Sequence, residues 1–130
     1  MTQLREYTEF SDGPLQFPIR GKVYTAPEID IPTGMRLNGI VEGTADQDMN
    51  SVELGQLILG PVWDEMIADG VPLAAATRAV SVAMADFLYG REYAQAYWET
   101  GNDPKALEKR LAPNRASRRS TSTGGARKTR

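Results

Sequence analysis

Residues 15–27 read LQFPIRGKVYTAP. Leu15, Phe17 and Ile19 alternate with Gln16 and Pro18, the period-two pattern of a strand with one buried face. Val23, Tyr24 and Thr25 are strand formers, and Arg20-Gly21 between the two runs supplies a turn. The stretch therefore predicts a short β-hairpin. Pro18 has no N–H to give to a ladder, so its strand lies at a sheet edge. Two strands are marginal alone in water and must pack on something. Everything that follows reads as helix, so the predicted class is α+β: an N-terminal β-hairpin packed on a small, mostly helical domain.

The helical part divides at its glycines and prolines. Pro27 and Pro32 bracket an extended connector. Met35, Leu37, Ile40 and Val41 then recur at helical spacing over 33–42, followed by an acidic loop. Asn50 with Glu53 three residues on has capping-box spacing and opens the next helix. Its apolar side comprises Leu54, Leu57, Ile58, Val62, Met66 and Ile67. Gly60-Pro61 must kink this helix or restart it, because the proline ring displaces the preceding carbonyl. Gly70 suits a left-handed helix end and Pro72 the first turn of a new helix. The alanine-rich run at 72–89 carries Val80, Met84, Phe87 and Leu88. A short helix to Gly101 follows, and Asp103-Pro104 opens a last one.

The chain has 130 residues, 41% of them hydrophobic, enough for one domain with a small core. The expected organisation is a flexible N-terminus at 1–14, a hairpin-plus-helices domain at 15–112 and a disordered basic tail at 113–130. The tail holds too little apolar surface to offset its ordering entropy. There is no cysteine and no histidine. Disulfides, thiolate metal sites, cysteine nucleophiles and Ser-His-Asp triads are thereby excluded. The commonest general base near neutral pH is absent too. The chain reads as non-enzymatic, with no cofactor.

Charge is unevenly spread. Residues 1–100 hold six basic and fifteen acidic side chains, net −9, whereas residues 101–130 hold nine and two, net +7. The basic tail residues are Arg115, Arg118, Arg119, Arg127, Lys128 and Arg130. Phosphate neutralisation is one use for them. No aromatic is interleaved for base stacking, and the acidic body would repel a nucleic-acid backbone, so a solvated linker is the favoured reading. The asymmetry also allows copies of the chain to associate. Asp64, Glu65 and Asp69, with Asp46 and Asp48, are weighed as a metal or acid–base cluster and read better as solvated faces. Trp63, Tyr93, Tyr97 and Trp98 have apolar neighbours at helical spacing, so core packing is their default. With Met66 they are also the partner-binding candidates, since aromatics anchor interfaces. No run of apolar residues is long enough to span a membrane, and the N-terminus lacks a signal-peptide h-region.

Three stretches taken in order, LQFPIRGKVYTAP, LILGPVWDEMIADGVPLAAATRAV, and AYWETGN followed by APNRASRRSTSTGGARKTR, resemble the tail assembly chaperones of long-tailed phages that infect actinobacteria. The likeness spans about residues 15–130. Phe17 stands where leucine is more usual, and the acidic loop at 43–50 is longer. The resemblance implies a chaperone that holds the tape-measure protein before the tail tube polymerises. It implies the short product of a programmed frameshift, whose longer form would recruit tube subunits. It also implies action in the host bacterial cytoplasm and absence from the mature virion. Two rival readings are a structural tail, head–tail connector or terminator protein, and a small nucleic-acid-binding phage protein that uses the basic tail.

Overall fold

A computed structural model describes residues 2–111. Strands β1 (Gln16–Ile19) and β2 (Lys22–Thr25) form an antiparallel hairpin, pairing Phe17 with Tyr24 and Ile19 with Lys22. The turn is Arg20-Gly21, both at positive φ (54° and 82°), as a type I′ hairpin requires. Helices α1 (Ile31–Glu42), α2 (Ser51–Leu59), α3 (Pro61–Ala68), α4 (Leu73–Tyr89) and α5 (Arg91–Thr100) follow. Residues 104–111 are helical as well. The α+β class is as expected. The expectations for 113–130 lie outside the described residues.

One face of the hairpin, bearing Phe17, Ile19 and Tyr24, enters the core. The rest of that core comes from Leu37 of α1, Ile58 and Leu59 of α2, Val62, Trp63 and Met66 of α3, and the alanine-rich side of α4. Alanines at 76, 79, 83 and 85 are buried in α4, and Ala94 and Ala96 in α5. With so little side chain at these positions, the helix backbones approach closely.

Several local signals act as the sequence suggests. Asn50 and Glu53 exchange both capping-box hydrogen bonds, at 2.8 and 3.0 Å. The chain leaves α3 through Gly70 at φ 69°, with Val71 N–H bonded to Met66 O at 3.0 Å, a Schellman closure. Pro61 restarts the helix rather than bending it. Gly60, at φ 56° and ψ −131°, separates α2 from α3 in a conformation that side chains rarely adopt. The break changes the helical phase, so Leu59 turns inward and Ile67, expected on the apolar side, is 64% exposed.

Other expectations need correcting. The first helix begins at Ile31, inside the connector expected to be extended. The Asp30 carboxylate caps it, accepting from Thr33 N–H at 3.0 Å, and Pro32 sits in the first turn. Only Leu37 of its four apolar candidates is fully buried; Met35 and Val41 face solvent. The N-terminal segment contains a 3-10 turn at Tyr7–Glu9. Its end is held by Arg91, which donates to the carbonyls of Asp12 (3.3 Å) and Gly13 (2.8 Å).

A polar clamp ties the hairpin to α3. Lys22 Nζ donates to Asp69 at 2.6 Å and lies 2.8 Å from Glu65, while Tyr24 Oη donates to Asp69 at 2.7 Å. Donation from Lys22, then from Tyr24, holds the Asp69 carboxyl below the usual carboxylate range. The same partner, Asp69, raises both Lys22 and the Tyr24 phenol above their ordinary values. The lowered carboxyl stabilises the fold above its unfolded pKa, near 4, and that contribution is lost as pH falls through the folded value. The raised groups work in the opposite sense: their contribution is lost as pH rises through their folded values. Thermal midpoints should therefore drop between pH 5 and pH 3, by thermal melts read at each pH (values spanning the carboxylate range). In Asp69→Asn the drop should be shallower; an unchanged slope would rule out the clamp as a contributor.

Candidate partner-binding surface

The structure separates the five sequence candidates into two groups. Met66 and Trp63 are interior. The Trp63 ring lies flat against α2 where Gly55 leaves room: a Cβ at Gly55 would come 2.7 Å from the ring. The buried Trp63 Nε1 has no hydrogen-bond partner among the described residues. Neither side chain is offered to a partner in this fold. Tyr93, Tyr97 and Trp98 are half-buried on α5. Tyr97 and Trp98 pack on the core, with Trp98 5.5 Å from the Phe17 ring. The three α5 residues have surface available; the two α3 residues do not.

Tyr93 belongs to an exposed aromatic ledge. Gly90, at φ 100°, is the single residue between α4 and α5, and it folds Tyr89 back over the first turn of α5. The Tyr89 and Tyr93 rings meet at 4.9 Å with a 48° tilt, and Tyr89 is 67% exposed. Leu88 is partly exposed next to Tyr89 in sequence. Arg91 fixes this corner through a 2.8 Å ion pair with Asp86, which raises the guanidinium pKa. The corner is thus rigid underneath and apolar on top. Sequence reading missed Tyr89 because it falls in a different helix from Tyr93. The available signal was the glycine between them, which lets residues four apart meet across a helix break.

Trp98 lines a separate cleft of about 360 Å³, with Pro18 and Ile19 of β1 and Ala74, Ala75 and Arg78 of α4. Arg78 lies at this cleft with its Nη1 donating to Trp98 O at 3.2 Å. A further cavity of about 340 Å³ lies between the N-terminal segment, the end of the hairpin and the end of α4.

The carboxylates weighed as a cluster have structural tasks instead. Glu65 and Asp69 hold Lys22, and Asp46 holds Arg36 at 2.8 Å, which lowers its own pKa.

A family profile described as a domain of unknown function (DUF7426) matches residues 5–130. The chain belongs to that family. Neither curated proteins nor solved structures give a match. The DUF7426 match begins in the N-terminal segment and runs through the hairpin, every helix and the basic stretch. The ledge and the Trp98 cleft both lie within the shared unit.

Proposed function

We propose that this chain is a non-catalytic tail assembly chaperone that holds the tape-measure protein of a long-tailed phage while the tail tube assembles. The observation that carries the reading is the ledge of Tyr89, Tyr93 and Leu88, exposed on a firmly held corner of an acidic body. Tyrosines placed this way bring large contact area at small entropic cost and are frequent interface anchors. The resemblance supplies the partner. A tape-measure protein exposes long amphipathic helices, and a small helical body bearing an apolar ledge suits such a ligand. Many copies along one long helix give lasting cover through multivalency without one tight site. A chain lacking histidine and cysteine fits a holding role. In the same reading the chaperone acts in the host cytoplasm, is left out of the finished particle, and reaches tail tube subunits through a longer frameshifted product.

Co-expression with the tape-measure protein is expected to carry that protein into the soluble fraction as a complex. The double variant Tyr89→Ser/Tyr93→Ser should keep the fold and retain far less of it. Losing two anchors of about 2 kcal/mol each would weaken one contact roughly 100-fold or more. Equal insolubility with and without the chain would defeat the proposal. Finding the chain by mass spectrometry as a stoichiometric component of purified particles would favour a structural virion role instead.

A further inference from the structure

Two surfaces outside the ledge remain unexplained, and they complement each other. The first is the N-terminal segment. Leu4, Tyr7 and Phe10 recur every third residue and are 86%, 65% and 59% exposed. The Tyr7 and Phe10 rings touch edge to face at 5.4 Å, so they form one apolar knob. Glu6 lies beside that knob in sequence, and Glu9 within it is met only by Arg5 at 3.7 Å. The second surface is the Trp98 cleft, with its apolar walls. Arg78 stands at it with no ion pair among the described residues. On a body of net −9 an unpaired guanidinium beside an apolar cleft favours a ligand that carries both a large apolar side chain and a carboxylate.

We infer that the N-terminal segment of one copy docks in the Trp98 cleft of another, with the Tyr7–Phe10 knob in the cleft and a glutamate of the segment on Arg78. The occupant is a second copy because each molecule keeps the two surfaces apart. The segment is pinned at the end of α4, where Arg91 bonds to Asp86 and to the Asp12 and Gly13 carbonyls. The cleft lies at the start of α4; Ala74 and Asp86 are twelve residues apart, about 18 Å along the helix. Joining different surfaces on like molecules is a heterologous contact, which adds copies head to tail instead of closing a dimer. Such a row would suit cover along a lengthy ligand, but the contact stands independently of the chaperone reading.

Sedimentation velocity on the full chain tests this. The wild type should gain mass continuously with concentration, passing dimer without a plateau. Arg78→Glu should raise the dissociation constant at least about tenfold, as should Tyr7→Ser/Phe10→Ser, whose side chains are too exposed to endanger the fold. Mixing the two variants is the decisive measurement. One retains a working knob and the other a working cleft, so the mixture should give a one-to-one dimer and nothing larger. A wild type that stays monomeric at every concentration, association that survives both changes, or a mixture that remains monomeric would each overturn the inference.

Discussion

Replacing Phe17 by alanine should cost about 3–5 kcal/mol of folding stability. Phe17 is the ring by which β1 enters the core, 1% exposed. It sits opposite Tyr24 across the hairpin and 5.5 Å from the Trp98 ring. Alanine would remove the apolar contact and leave a cavity that strand and helix cannot both close. The hairpin has no sheet beyond itself, so packing against the helices supplies what two strands lack. A loss of this size is a large fraction of the roughly 5–15 kcal/mol a natural domain possesses. Urea denaturation followed by far-ultraviolet circular dichroism should show the midpoint falling steeply, or no cooperative transition. Val23 pairs with Pro18 on the opposite, exposed face, so Val23→Ala should move the midpoint little. Equal effects at Phe17 and Val23 would contradict the register.

Gly55→Leu should be the second most damaging change, at about 3 kcal/mol, near the top of the usual range for overpacking. Gly55 is buried in α2, and its missing side chain is the space occupied by the Trp63 ring. Even the Cβ of alanine would stand 2.7 and 2.8 Å from two ring carbons. Trp63 is itself enclosed and has nowhere to withdraw. Gly55→Ala gains roughly 1 kcal/mol in helix propensity, which offsets only part of its clash, so it should destabilise less. The check is thermal denaturation of both variants beside wild type, with the order wild type, alanine, leucine. An alanine variant as stable as wild type would show that α2 and α3 are not packed this tightly.

The parts of this fold written in local chemistry were legible in the sequence. Alternation with Arg20-Gly21 placed the hairpin, Asn50 and Glu53 placed the start of α2, and Gly60-Pro61 placed its end. What was obscure depends on neighbours distant in sequence. The helical phase shift at Gly60 exchanged Leu59 for Ile67 in the core, which continuous periodicity cannot anticipate. Most apolar positions of α1 face solvent because few other elements cover it. The tie from Arg91 to Gly13 joins residues 78 apart, and no local pattern marks it. The partner surface was half legible. Tyr93, Tyr97 and Trp98 have surface available, whereas Trp63 and Met66 were drawn inward by the gap at Gly55. Aromatic identity alone does not separate an anchor from a core ring; the burial of its neighbours does.

Amide hydrogen exchange on the chain, free and in complex with co-expressed tape-measure protein, tests the central claim most directly. The account predicts slowed exchange at the end of α4 and the first turns of α5, around Tyr89 and Tyr93, with the exposed side of α1 unaffected. A failure to form a complex, or a complex in which residues 88–93 exchange as fast as in the free chain, would contradict it.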